Sequence, residues 1–186
     1  HHAYEKGVRT FVTADVYGQG ESDSLLARSL EGFPRDSYCL VGAVGHDFYE
    51  GQREGSKGFP RFTDPALRGP EAYADYLRMA TEKSLARSRT DYLLLLHTAD
   101  QIGYTSKAVW KGMTALKSAG LATRLGIAPG PANGFALDVI QCLERFSDHI
   151  DWAMIILNPL EPWPGHLCLP AAEKTKTKIL TRVADY

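Results

Sequence analysis

Polar side chains that could carry acid–base chemistry follow the apolar runs of this chain. Tyrosine and histidine can donate or orient a proton, and carboxylate or guanidinium groups can bind a substrate. Tyr17, after the first apolar run, and His97, at the end of the third, are the candidates for a direct catalytic role. Further candidates for substrate binding lie after the runs or at their ends: Asp15, His46, Trp163 and Arg182.

Each catalytic candidate also has an ordinary structural interpretation. Tyr17 could pack or cap at the exit of a strand, and His97 could be a core histidine satisfied by backbone. Metal-ligand residue types are also present, namely His46, Asp47, Glu50, His97 and His166. Because no pair has the spacing that fixes two ligands on one helical face, we expect no metal site.

Short apolar runs alternate with longer amphipathic stretches, which is typical of successive βα units. The runs are nearly continuous in apolar residues, which predicts parallel strands covered on both faces. The six predicted strands are Arg9–Ala14, Tyr38–Val44, Tyr92–His97, Arg124–Ala128, Trp152–Leu157 and Lys178–Val183. The predicted helices are Ser22–Glu31, Pro70–Ser88, Thr105–Ser118 and Gly134–Asp148.

This order of elements predicts an α/β fold, a (β/α)8 TIM barrel of which the chain supplies about strands two to seven. A closed barrel has eight units and typically about 250 residues. We therefore expect the 186 residues to form one partial barrel domain over positions 1–186, with flanking segments that cover the open sheet edges. In such barrels the active site lies at the carboxyl ends of the strands, where Tyr17 and His97 are expected.

Charge and composition narrow the classes of partner. Lys plus Arg number 21 and Asp plus Glu 22, so no excess charge favours nucleic acid or an anionic membrane. The longest apolar run, Tyr92–Leu96, is far shorter than a membrane span, and no secretory signal is visible. The cysteines Cys39, Cys142 and Cys168 form no CxxC pair. We therefore expect a cytoplasmic protein that binds a small molecule.

A specific motif follows the first predicted strand. The run Phe11-Val12-Thr13-Ala14-Asp15-Val16-Tyr17-Gly18-Gln19-Gly20-Glu21-Ser22 closely resembles the signature of the aldo-keto reductase family. The run from Thr90 to His97 is similar to the family's strand that ends in a catalytic-site histidine. Leu116–Gly120 with Arg124–Ile127, and Asn158-Pro159-Leu160, resemble later parts of the same family.

The resemblance implies a barrel that binds NADP(H) and reduces carbonyls, with Tyr17 as the general acid and His97 orienting the substrate oxygen. The family's aspartate and lysine, which tune the tyrosine, correspond to Val12 and Ala43, so two members of its tetrad are replaced. Contacts to the cofactor are expected from the strand exits at Ala128 and Asn158, although the family's Ser-Asn pair reads Ala128-Pro129 here.

Two classes of function follow from this combination of kept and replaced residues. The first is an NADP(H)-dependent oxidoreductase that acts on a small carbonyl or sugar, in which Trp163 could stack on a sugar or nicotinamide ring or could instead seal the barrel rim. The second is a barrel that has lost hydride transfer and acts as a cofactor-independent lyase or isomerase, or as a noncatalytic binding or regulatory subunit. The residues leave the oligomeric state open.

Overall fold

The computed structural model describes residues 1–50, 70–98, 106–129, 135–163 and 165–182. Its strands are β1 (Thr10–Val12), β2 (Cys39–Val44), β3 (Tyr92–His97), β4 (Ala122–Ile127), β5 (Trp152–Ile156) and β6 (Lys178–Arg182). Its α-helices are α1 (His2–Glu5), α2 (Glu21–Leu30), α3 (Tyr73–Ser88), α4 (Lys107–Ser118), α5 (Phe135–Phe146) and α6 (Cys168–Thr175). Strands and helices alternate from β1 onward, which confirms the predicted βα units.

The strands form one sheet in which spatial order follows chain order from β1 to β6. All neighbouring pairs are parallel, and a helix crosses between each strand and the next. Parallel strands in chain order, joined by helices, are the arrangement of a (β/α)8 barrel. The sheet is a curled half-barrel, so the predicted partial barrel fold is confirmed.

The two faces of the sheet have different partners. Leu40, Leu95 and Ile127 pack into the larger core together with side chains of the helices. The second apolar cluster contains strand and strand-exit residues but no helix residue. It defines what we call the inner face: Ala14, Val41, Ala43, Leu94, Leu96, Ala128 and Met154. The inner face at the carboxyl ends of the strands is therefore lined largely by small or flexible apolar side chains.

The boundaries of several elements differ from those predicted. β1 stops at Val12, although Thr13 still donates to the carbonyl of Val41 at 2.9 Å, so its ladder continues beyond the regular strand. β4 starts at Ala122, earlier than the predicted Arg124. Helix α3 starts at Tyr73, later than the predicted Pro70. The predicted ends at Thr105, Gly134 and Val183 lie outside the described residues.

Helix α6 was not among the predicted helices. Its third residue is Pro170, which lies in the first turn, where the missing N–H leaves no intrahelical bond unmade. Lys176 follows the helix in the left-handed conformation with φ of 57°, so the helix ends within the run 175–178. Within the described ranges, no helix is long and apolar enough to cross a membrane.

Asp151 holds three strands together at the start of β5. Its backbone N–H donates to the carbonyl of Leu125 at 2.8 Å, and its carbonyl accepts from the N–H of Lys178 at 3.0 Å. Its carboxylate accepts from the Leu125 N–H at 3.0 Å, from Lys117 at 3.2 Å and from Arg124 at 3.1 Å. One side chain thus connects β4, β5 and α4 on the amino side of the sheet.

Candidate active site

Tyr17 lies in a tight turn directly after the β1 ladder. Asp15 donates its backbone N–H to the carbonyl of Ala43 at 3.1 Å, and Tyr17 donates its own to Ala14 at 3.0 Å. Gly18 and Gln19 then adopt left-handed conformations with φ of 58° and 54°. A Cβ on Gly18 would lie 3.0 Å from the Cβ of Glu21, so glycine suits both the conformation and the space.

The turn leaves the side chain of Tyr17 60% exposed. It follows β1 at the edge of the sheet where the carboxyl ends of all six strands lie. No hydrogen bond or ring contact joins Tyr17 to His97 within the described residues. The phenol therefore faces solvent on the side of the fold where a substrate would enter.

His97 lies at the end of β3 and is wholly buried. Its neighbours in the register are Val44 and Ile127, whose side chains belong to the core between the sheet and the helices. Its Nε2 is 2.8 Å from the hydroxyl of Tyr73, the first residue of α3. The structure thus places His97 on the helix side of the sheet, opposite the inner face.

Burial determines the charge of His97. Loss of hydration, followed by the nearby charge of His46, lowers the pKa of His97 to about 3. The imidazole is therefore neutral near pH 7 and can offer one N–H donor and one nitrogen acceptor. A neutral ring is suited to hydrogen bonding and cannot supply a positive charge to the site.

The positions of the two replaced tetrad residues lie on β1 and β2. Val12 is 48% exposed and pairs in register with Val41. Ala43 is buried within the inner face, beside Leu96 in the register. Small apolar groups therefore occupy the place where the resemblance expects a lysine.

A buried polar cluster behind β1 was missed at the level of sequence. We call it the Asp23 cluster, made of Thr13, Asp23, Ser84, Arg87 and Tyr92. The carboxylate of Asp23 accepts from Thr13 at 3.2 Å, from Ser84 at 2.7 Å and from Arg87 at 3.0 and 3.1 Å. Ser84 also bonds the hydroxyl of Tyr92 at 2.6 Å. The polar residues at helical spacing in α3 were the only local signal for this cluster.

The Asp23 cluster reaches the loop after β2 through Tyr49. Arg87 donates to the Tyr49 hydroxyl at 3.2 Å, and the Lys83 ammonium lies 4.7 Å from the centre of the ring. Burial, and after it the negative charge of Asp15, raises the pKa of Tyr49 to about 12 against the opposing contacts of Arg87. Tyr49 therefore stays protonated near neutral pH and acts as a hydrogen-bonding group.

The remaining candidates are spread over the strand exits. Asp15 is buried, whereas His46 is half-buried and follows Gly45 at the end of β2. Arg182 donates to the carbonyl of Pro129 at 2.8 Å, which connects the ends of β6 and β4. Trp163 is 56% exposed in the segment after β5. These groups follow the carboxyl ends of β1, β2, β5 and β6, which lie at the same edge of the sheet.

The two candidate cofactor residues differ in what they offer. Ala128 has no polar side chain, and its backbone N–H donates to the carbonyl of His97 at 2.9 Å. The Oδ1 of Asn158 accepts from the N–H groups of Leu160 and Glu161 at 2.9 and 2.7 Å. The Nδ2 of Asn158 is buried and has no hydrogen-bond partner among the described residues. This amide can therefore donate to an acceptor brought by a ligand.

Within the described residues, metal ligation is not supported, and two of the three thiols are held in the protonated form by burial. No three His, Cys, Asp or Glu side chains in these ranges are arranged to hold a metal ion. Cys142 and Cys168 are buried, and burial raises the pKa of both thiols, for Cys142 to about 12. Thiols held in the protonated form are poor nucleophiles.

The parallel half-barrel with polar residues at its carboxyl edge defines a TIM-barrel class of protein. The model of the Aldo/keto reductase family matches residues 1–176. The chain therefore belongs to this family of oxidoreductases, and the resemblance read from the Tyr17 motif is confirmed.

Individual relatives agree with this assignment. The chain is 29% identical over 96 residues to "Probable aldo-keto reductase 1" of Glycine max, covering 52% of the chain and 24% of the relative. The holo form of an aldo-keto reductase from Bacillus halodurans superposes with a TM-score of 0.72 at 22% identity, over 97% of this chain and 54% of that one. The chain thus spans about half of that relative.

Two further solved structures have the same fold. An aldo-keto reductase from Klebsiella pneumoniae in complex with NADPH gives a TM-score of 0.67 at 21% identity, covering 96% of this chain and 54% of its own. The glycerol dehydrogenase of Gluconobacter oxydans gives 0.70 at 22% identity, covering 97% and 50%. At this level of identity, the likeness supports the fold.

Proposed function

We propose that this protein is an NADP(H)-dependent oxidoreductase that reduces a small carbonyl compound or sugar. The observation that carries the proposal is the position of Tyr17, whose exposed phenol follows β1 at the carboxyl edge of a barrel sheet. Family membership over residues 1–176 supports this class of chemistry. A small molecule, rather than nucleic acid or a membrane, is the expected partner.

Binding of the nicotinamide cofactor is supported by the edge of the sheet near Asn158. The buried Nδ2 of Asn158 is a donor suited to a polar group of the cofactor, and Ala128 belongs to the apolar inner face, which suits contact with a ring. The bound cofactor would supply a hydride to the carbonyl carbon. The NADPH complex of the Klebsiella pneumoniae relative supports the same cofactor here.

Tyr17 is the proposed proton donor. Its phenol gives a proton to the carbonyl oxygen as the carbonyl carbon is reduced, which yields an alcohol. A nearby cation favours loss of a phenol proton, and the inner face provides Ala43 where the family has lysine. We therefore expect slow reduction by the usual route of the family.

Other charged and aromatic groups at the edge are proposed to bind the substrate. Arg182 is tied to Pro129 and lies at the end of β6, where its guanidinium can attract a polar oxygen. His46 and Asp15 follow β2 and β1, and Trp163 provides an exposed ring for stacking on a sugar. Polar and aromatic groups of this kind suit a hydrophilic carbonyl substrate.

A second function is favoured by one specific observation. Ala43 lies within an apolar cluster, and His97 turns toward α3 and bonds Tyr73. Val12 also stands in place of the aspartate, so three of the four expected proton-transfer groups are replaced or directed away from the inner face. A barrel of this kind would act without hydride transfer, as a lyase or isomerase or as a binding subunit.

Titration with NADPH and NADH separates the two functions. Binding is followed by tryptophan fluorescence and by calorimetry, with circular dichroism to establish that the protein is folded. Saturable binding supports the oxidoreductase and directs a screen of small carbonyls and sugars. Absence of binding of both nucleotides to the folded protein contradicts it and favours the second function.

A further inference from the structure

Tyr73 and His97 share a hydrogen bond that lies wholly inside the protein. The Tyr73 hydroxyl is 2.8 Å from Nε2 of His97, and neither residue is exposed. Their rings meet edge to face with centres 5.8 Å apart. Because Tyr73 begins α3 and His97 ends β3, the bond connects the helix layer to the carboxyl edge of the sheet.

The backbone is adapted to this contact at Gly45. Gly45 follows β2 and has φ of 133°. A Cβ there would lie 3.3 Å from Nε2 of His97 and 2.8 Å from the hydroxyl of Thr98. Any larger residue at this position would press on the imidazole. The glycine therefore preserves the space in which the ring is held.

The direction of the hydrogen bond follows from the acidity of the two groups. A phenol is a better donor than a neutral imidazole N–H, and the unprotonated imidazole nitrogen is a better acceptor than a phenol oxygen. Burial keeps His97 neutral, since its pKa is lowered to about 3. The Tyr73 O–H therefore donates to Nε2, and the ring hydrogen of His97 resides on Nδ1.

We propose that Tyr73 is a positioning residue that fixes His97 in its orientation and as the Nδ1–H tautomer. Any hydrogen bond that His97 donates then leaves from Nδ1. The tautomer depends only on the structure, whereas its catalytic consequence rests on the proposed carbonyl reduction. The two parts are tested by separate measurements.

The tautomer is measured by nitrogen-15 NMR of the histidine rings in the ligand-free protein. The His97 signals are assigned by their loss in a His97→Asn variant. We expect Nδ1–H in the native protein at pH 7 and a mixture, or Nε2–H, in Tyr73→Phe. Tyr76→Phe, an equally buried change in the same helix, should leave the signals in place.

Two results overturn the tautomer assignment. One is a native protein in which His97 carries its ring proton on Nε2. This result overturns the assignment even if Tyr73→Phe does not fold. The other is a folded Tyr73→Phe variant that keeps Nδ1–H unchanged. Both are independent of any activity, so failure of the proposed reduction leaves this test intact.

The catalytic consequence is measured by steady-state reduction of a carbonyl substrate found in the cofactor screen. Loss of one positioning hydrogen bond should lower kcat of Tyr73→Phe about tenfold with KM little changed. Tyr76→Phe should retain kcat. An unchanged kcat in a Tyr73→Phe variant whose tautomer has shifted contradicts the positioning role, and absence of reduction by the native protein contradicts the proposed function itself.

Discussion

Asp15 donates its backbone N–H to the carbonyl of Ala43 at 3.1 Å. This bond keeps the segment that leads to Tyr17 in register with β2, the strand on which the resemblance expects a lysine. The backbone of the site is therefore in place even though Val12 and Ala43 replace two members of the tetrad.

Restoring both groups should increase carbonyl reduction. In Val12→Asp with Ala43→Lys, the lysine cation favours loss of the Tyr17 proton and the aspartate pairs with the lysine. We expect at least a tenfold increase in kcat/KM, measured by NADPH oxidation. Val12→Asn with Ala43→Met tests for effects of shape alone. An equal rate in both double variants would indicate that the site uses other groups.

Removal of the Tyr17 hydroxyl should abolish turnover. Tyr17→Phe takes away the proposed proton donor, and because the side chain is 60% exposed, the fold should be unaffected. We expect a loss of kcat of at least 100-fold with unchanged thermal unfolding. Tyr4→Phe removes a phenol that bonds Ser37 at the opposite end of the fold and should leave kcat unchanged. Native rates in Tyr17→Phe would exclude this residue as the acid.

Neutralising Asp23 should destabilise the fold. Its carboxylate is fully buried and pairs with Arg87 at 3.0 Å, so Asp23→Asn leaves a partly buried guanidinium without its charge partner. We expect a loss of about 3 kcal/mol in the free energy of unfolding, measured by urea denaturation. Glu82→Gln breaks the exposed pair with Arg78 and should cost less than about 1 kcal/mol. Similar losses in both variants would contradict the importance of burial.

Acid should weaken the contacts by which the Asp151 carboxylate connects β4, β5 and α4. Burial alone would raise the pKa of Asp151, but the Leu125 N–H and the Lys117 and Arg124 side chains lower it overall. A carboxyl group whose pKa is lower in the folded than in the unfolded state stabilises the protein at pH values above the unfolded-state pKa, about 3.9. This contribution is lost as the pH falls through the lower pKa of the folded state. The native protein should therefore lose stability below about pH 4.

The Asp151→Asn variant provides the test of this pH dependence. Urea midpoints are compared for native protein and variant between neutral and acidic pH. Native protein should be more stable at pH 7, and the difference should narrow as Asp151 becomes protonated. Lys117→Met should remove part of the same acid-sensitive contribution. A difference that stays constant with pH would contradict the contribution of the charge.

Much of the fold could be predicted from the sequence because each strand is a compact apolar run. Tyr92–His97 matches its prediction at both ends, and the other strands differ by small shifts. Helix α6 escaped prediction because Pro170 indicates a break unless it is known to lie in a first turn.

The site could be predicted only in part. The Tyr17 motif located a strand exit correctly, because its glycines and polar residues predict a turn. The face of the sheet that His97 occupies depends on register, since one residue of shift reverses a side chain. The contact of Arg87 with Asp23 joins residues 64 positions apart, and no local pattern records such a pair.

The bond from Arg87 to Tyr49 ties a loop at the carboxyl edge to the last turns of α3. Local opening of that helix end would remove the partner that holds the Tyr49 hydroxyl. Backbone amides of residues 45–50 and of the end of α3 should therefore exchange with solvent as one cooperative unit. A helix on the outside of the barrel would in this way set how often the loop beside the candidate active site becomes mobile.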